Sequence, residues 1–244
     1  MDFYNRFFGD QVTIFGRATI GTSKLNVYEL AQALDWGSVF DTEYLLDFSS
    51  SSANDAAAGT GARTIDVYGL DLAGNPLVET VTLNGQTKAT STKKFWRVFG
   101  AKIATAGTGR TNAGDVYFVK TGTGGAHTGG VPTLTSGVLK MLIGEGTASS
   151  GMYTAPRGTV YRLDRLVLND RVQVGKFEIA HAAERVIPVG LPHACITLDT
   201  PVSQSSDLAL PPFLVLNQLE DMIVKATMGA ASGVVAFIAS LQRV

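Results

Sequence analysis

Short runs of β-forming residues, separated again and again by clusters of turn formers, constrain this chain more than any other feature. The eleven runs are YLLDF, RTIDVYGL, LVETVTL, FWRVFGAKIAT, DVYFVKT, VLKMLIG, VYRLDRLVL, KFEIA, HACITL, DMIVKATM and VVAFIASL. Between them lie joints such as AGN, TAGTGRTNAG, TGTGGAHTGG, GEGTASSG, APRG and MGAASG. Runs this short, with this little between them, read as antiparallel strands and not as strands alternating with helices, so the expected class is all-β. The clearest unit is a hairpin. Ile65 and Val67 share one face of its first strand and Thr64, Asp66 and Tyr68 the other, because side chains alternate in an extended chain. Its second strand runs from Leu77 to Leu83, and Ala73, Gly74 and Asn75 make the turn.

Helical spacing is rare. KLNVYELAQALD places Val27, Leu30, Ala31 and Leu34 on one face with Ser23 as N-cap, which predicts one short N-terminal helix. PPFLVLNQLED, opened by Pro211 and Pro212, fits a helical turn or an extended segment. Several strands carry apolar residues on both faces, interrupted by Arg97, Arg162 and Arg165, which suits β-sandwich, jelly-roll-like domains whose outer apolar positions meet a neighbour. With GEGTASSG read as a linker, the expected organisation is an N-terminal arm over 1–45 that can serve for docking, a first sandwich over 46–146 and a second over 147–244.

Composition narrows the function. Charged residues are 17% of the 244, below the roughly 25% usual for soluble domains, which favours a surface partly covered by neighbours. Twenty basic residues oppose 21 acidic ones for a net charge of −1, so no strong field attracts nucleic acid or an anionic membrane. The single cysteine, Cys195, leaves no intrachain disulfide, and three histidines could not make a zinc cluster without carboxylates. The longest apolar run, Val234–Ala239, is far short of the ~20 residues of a membrane helix. The charges at Asp2, Arg6, Asp10 and Arg17 break any secretion-signal core, so synthesis in the cytoplasm is expected.

One set of motifs resembles a known family. Ser51 to Thr64 follow the pattern S-S-x-x-D-x-A-x-G-T-G-A-R-T, leading to G-L-D, a short turn, E-T-V-T-L-N-G and KKFWRVFGAKIATAGTGRTNAGDVYF. Two further pieces are MYTAPRGTVYRLDRLVLND and DMIVKATMGAASGVVAFIASLQRV. Together they resemble a family of tailed-phage virion proteins over roughly two thirds of the chain. The resemblance implies a non-enzymatic virion component, with residence in the particle. The expected role is capsid decoration or cement, with copies of itself (as a homotrimer) and the major capsid protein as partners. A neck, tail or fibre component is the alternative, and a β-sandwich glycan-active enzyme ranks last.

Other candidate sites are weak. TGTGGAHTGG lacks the Gly-Lys-Ser/Thr ending of a phosphate loop, and GTGARTI leads into a strand where a dinucleotide fingerprint needs a helix. His193 and Cys195 share a strand face without an orienting third group. His181 and His127 stand alone. Asp66, Asp71, Glu79 and Asp115 are scattered, and Asp199, Asp207, Glu220 and Asp221 form no calcium loop. Trp36 and Trp96 read as core. No catalytic, cofactor-binding or metal residue is therefore expected. The set that points to a partner is aromatic: Tyr4, Phe7, Phe8 and Phe15, dense enough to form an interface or to pack on the flank of their own domain.

Overall fold

The computed structural model describes residues 3–20, 25–26, 42–133, 137–170, 174–182, 193–198, 206–209, 215–228 and 233–244. Among the described residues the regular structure is antiparallel β apart from one short helix, as the strand runs predict. A short helix, α1 (Phe3–Phe8), precedes β1 (Gln11–Ile20) and β2 (Leu25–Asn26). The central segment holds β3 (Leu46–Ser50), β4 (Ala62–Leu70), β5 (Pro76–Thr82), β6 (Ala89–Thr90), β7 (Arg97–Ala106), β8 (Val116–Lys120), β9 (His127–Thr128), β10 (Val131–Pro132), β11 (Gly137–Met141) and β12 (Thr147–Ser149). After it come β13 (Met152–Thr154), β14 (Tyr161–Asp170), β15 (Val174–Ala182), β16 (His193–Leu198), β17 (Ser206–Ala209), β18 (Val215–Leu216), β19 (Asp221–Met228) and β20 (Gly233–Arg243). All eleven sequence-predicted runs overlap a strand.

The chain divides into two compact units, and the division differs from the expected one. Thr42–Ser150 forms one unit, while Met1–Asp41 and Gly151–Val244 together form the other. The N-terminal segment is thus not a separate arm. β1 pairs along its whole length with β20, from Gln11 opposite Gln242 to Ile20 opposite Gly233. Nor is GEGTASSG a free linker, because Thr147–Ser149 pairs with Lys102–Gly100 of β7. The helix predicted at KLNVYELAQALD lies mostly outside the described residues, and its Leu25–Asn26 is strand. At PPFLVLNQLED the described part opens as strand, Val215–Leu216, and the prolines lie outside the described residues.

In the central unit, two four-stranded sheets run in the orders β11-β8-β3-β6 and β12-β7-β4-β5, with β9 and β10 as a small separate hairpin. Register places Leu46, Phe48, Phe118, Leu139 and Met141 on one face of the first sheet, all buried. From the second sheet Ile65, Val67 and Ala101 are fully buried, and Phe95, Trp96 and Phe99 are buried core residues. The predicted hairpin is present, with Leu70 opposite Pro76. Its turn is closed by Asp71, whose carboxylate accepts the Asn75 backbone and side-chain N–H groups at 2.9 and 3.1 Å.

The other unit contains sheets ordered β1-β20-β14-β17 and β13-β19-β15-β16, with β18 added to β14 and β2 to β19. Val12, Ile14, Phe237, Ala239, Leu241, Leu163 and Leu166 form the buried face of the first. The opposite face of the same strands carries Phe15, Ile238 and Val167 in one row, and Ile238 is 48% exposed.

Candidate functional site

In the central unit, the Ser-rich loop that carries the family-like motif closes into a polar knot around Asp55. Small residues allow this, since the loop must pass close to three other backbone segments. Asp55 is fully buried. Its Oδ1 accepts the backbone N–H groups of Ala62 and Ala113 at 2.7 and 2.8 Å. Its Oδ2 accepts the Ser50 hydroxyl at 2.6 Å and the Gly114 N–H at 2.9 Å. One carboxylate thereby joins the end of β3, the entry to β4 and the loop before β8. Gly61 is required by approach, because a Cβ there would overlap the Asp55 carboxylate. Arg63 Nε donates to the Gly59 carbonyl at 3.0 Å, so the Asp, Gly and Arg of the motif act on one another.

Neighbouring loops are tied in the same manner. Ser51 N–H donates to the Asp115 carbonyl and Asp115 N–H to the Ser51 hydroxyl, both at 2.9 Å. The buried Asn112 amide donates to Gly114 and Leu142 carbonyls at 2.8 and 2.7 Å and accepts from Gly146 N–H at 3.0 Å. The Asp115 carboxylate takes the Ile143 N–H and a Lys140 ammonium, each at 2.9 Å. Burial pushes the Asp115 carboxyl up, but Lys140 and the Ile143 N–H outweigh it and hold the group below its ordinary value.

The predicted aromatic set separates into two roles. Phe7 is fully buried and packs edge-on to Phe3 with centroids 5.4 Å apart, so it belongs to the core and not to an interface. The reason is nonlocal. Tyr153 donates to the Phe7 carbonyl and Tyr161 to the Gly9 carbonyl, both at 2.8 Å, and the two tyrosine rings meet edge to face. These tyrosines come from the MYTAPRGTVYRL piece, which thus anchors α1. Burial, with the neighbouring Tyr161, raises the Tyr153 phenol well above its usual value. Tyr4, by contrast, is 42% exposed and packs at a tilt against the half-buried Phe8, with centroids 4.9 Å apart. Phe15 is half-buried on the outward row, beneath Arg6, whose guanidinium lies 4.2 Å from its ring. Arg6 also faces Phe3 and Phe7 and donates to the Thr13 carbonyl at 3.0 Å. Burial lowers Arg6 to about 10, still charged at neutral pH. Sequence reading passed over Arg6, although an arginine set inside YNRFF is the pattern of a cation held over aromatic faces.

The remaining candidates have structural tasks. Asp66 accepts the Thr80 hydroxyl at 2.6 Å across the hairpin. Buried Glu79 accepts the N–H groups of Thr92 and Lys93 at 2.7 and 2.9 Å. Glu220 is bonded to Asn217, and Asp221 to the Thr154 hydroxyl. The TGTGGAHTGG loop becomes the β9–β10 hairpin, with the His127 Nδ1 2.7 Å from the Ser49 hydroxyl. His181, His193, Cys195 and Asp207 lie on strands, with His181 opposite His193 in register. Their side chains, with Trp36 and Asp199, lie outside the described residues.

Among the described residues no three His, Cys, Asp or Glu side chains come together as a metal site, and no helix is long and apolar enough to cross a membrane. A depression of about 410 Å³ beside α1 is lined by Asn5, Gly9, Asp10 and Gln11, which include neither a nucleophile nor an imidazole. The class the fold defines is an all-β protein of two antiparallel units, one interrupting the other in sequence. No protein-family model, no curated protein and no solved structure matches the chain.

Proposed function

We propose that this protein is a non-enzymatic structural component of a tailed-phage particle, a decoration or cement protein that self-associates and attaches to capsid subunits. One observation carries the reading: Ser51, Asp55 and Arg63 of the family-like motif are engaged in holding backbone together. Asp55, the motif's acid, is fully buried with all four of its bonds directed at its own chain. A carboxylate saturated in this way is unsuited to proton transfer and well suited to making a loop end rigid. Stiff loops and strongly bonded hairpins suit a part that must keep its shape under load.

Attachment would draw on outward apolar groups. Tyr4 and Phe8 on α1, and the row of Phe15, Ile238 and Val167 across β1, β20 and β14, supply them within one unit. Covering such groups contributes about 25 cal/mol per Å², and the near-zero net charge limits repulsion between closely spaced copies. A trimer at local threefold positions is the expected assembly.

The test is single-particle imaging of purified particles with a count of copies and positions. Hundreds of copies on the icosahedral shell would establish the decoration role. A few copies at one vertex would move the protein to the neck or tail, and absence from particles would refute a virion role.

A further inference from the structure

The β9–β10 hairpin, which lies over the outer face of the β11-β8-β3-β6 sheet, contains a histidine whose Nε2 is buried without a hydrogen-bond partner among the described residues. We propose that the segment from Gly122 to Pro132 is an acid-released flap, closed while His127 is neutral and opened when its ring gains a second proton.

The hydrogen bonds assign the closed state. The Ser49 hydroxyl donates to the Gly130 carbonyl at 2.8 Å, so its oxygen must accept from His127 Nδ1–H, 2.7 Å away. The proton therefore sits on Nδ1 and the lone pair on Nε2. Nε2 is buried with no hydrogen-bond partner among the described residues, and it rests against Gly124, where a Cβ would stand 3.1 Å from it. An unpartnered lone pair is tolerable there. A cationic N–H without an acceptor is not, because it has lost water and gained nothing in exchange.

The surrounding charges do not rescue the cation. Lys88, from the segment before β6, repels it, and Asp47, from β3, attracts it. Yet the Asp47 carboxylate is already engaged by Lys88 Nζ at 3.1 Å, Thr90 Oγ1 at 2.7 Å and Thr121 Oγ1 at 3.0 Å. From β8 the neighbour is the apolar Val119, against whose side chain Gly124 packs. Burial first, then Lys88, hold the imidazole below its ordinary 6.5, with Asp47 opposing. The sign follows: the open state protonates first as pH falls through 6.5, so acid favours opening.

The flap is seated tightly against β3. Gly130, at φ +78°, presses so close to β3 that a Cβ would overlap the Ser50 carbonyl. Among the described residues the two-residue strands β9 and β10 pair only with each other. Release would uncover Val119 and Ser49, both fully buried when closed.

A pH titration of the full chain by NMR tests this. The His127 ring should show the Nδ1–H tautomer near neutral pH and a midpoint below 6.5. Between about pH 7.5 and about pH 5, amide protection at Thr128, Val131 and Thr133, corrected for intrinsic exchange, should fall while that of the β3 and β8 amides holds. His127→Asn keeps a donor for Ser49 but cannot titrate, so its flap should be insensitive to pH. If that variant fails to fold, Lys88→Met should raise the His127 midpoint and move opening to higher pH. A midpoint at or above 6.5, an Nε2–H tautomer, unchanged protection, or the same acid response in His127→Asn would each overturn the proposal.

Discussion

Replacing Asp55 with asparagine (Asp55→Asn) tests the loop knot without changing its volume. The new side-chain carbonyl would still accept from Ala62 and Ala113, as Oδ1 does now at 2.7 and 2.8 Å. Its NH₂ would stand where Oδ2 receives the Ser50 hydroxyl and the Gly114 N–H. The hydroxyl can rotate and become the acceptor, but the backbone N–H cannot. One buried donor is then left facing another donor, at a cost of about 1–3 kcal/mol, and the two retained bonds weaken because they no longer end on a carboxylate. The sum is about 3 kcal/mol, or roughly 10–20 °C in the unfolding temperature of a unit of this size. Calorimetry on the full chain, with hydrogen exchange at the Ala62 and Gly114 amides to assign the transition to the central unit, gives the value. A loss below about 0.5 kcal/mol, the ordinary range for a surface change, would refute the claim that the carboxylate organises these loops.

The N-terminal aromatics should behave oppositely to one another. Phe7→Ala should cost about 3–5 kcal/mol in denaturant unfolding, as expected for a fully buried ring. Tyr4→Ala should change folding by less than about 0.5 kcal/mol but weaken self-association in sedimentation. In acid, Asp47 and Asp115 act together: in each, burial raises the carboxyl, but hydrogen bonds and a lysine outweigh it and keep it below 3.8. Their stabilisation is therefore complete above that value and lost as pH falls through the lower folded values. Denaturant midpoints from about pH 5 down to about pH 2 should show this loss, and Asp47→Asn should flatten it.

The strands were legible because their signals are local. Alternation in RTIDVYGL puts Ile65 and Val67 inside, and both are fully buried. Asp71–Asn75 makes its turn from neighbouring residues. β1 was missed although QVTIFGRATI alternates Val12 and Ile14 inward, since aromatic density invited a reading as a docking arm and its partner strand lies at the other end of the chain. α1 is too short for helical periodicity to register. Of the aromatic set, Phe7 could not be told from Tyr4 by type or spacing, because what separates them is tertiary packing, which buries the Phe7 ring and leaves Tyr4 42% exposed.

By itself, then, the amino-acid order determined the class of the protein, most of its strands and several of its turns. Each of these depends on residues within a few positions of one another. Tertiary structure alone decided that the two ends of the chain build one unit, with a second inserted between them in sequence. It also decided that Asp55 is a buried clasp and that His127 seats a hairpin. Those outcomes depend on which distant N–H groups and hydroxyls arrive beside a side chain, such as Ala113 and Gly114 at Asp55 and Ser49 at His127. Strand pairing sets that arrival, and pairing joins residues as far apart as Gln11 and Gln242.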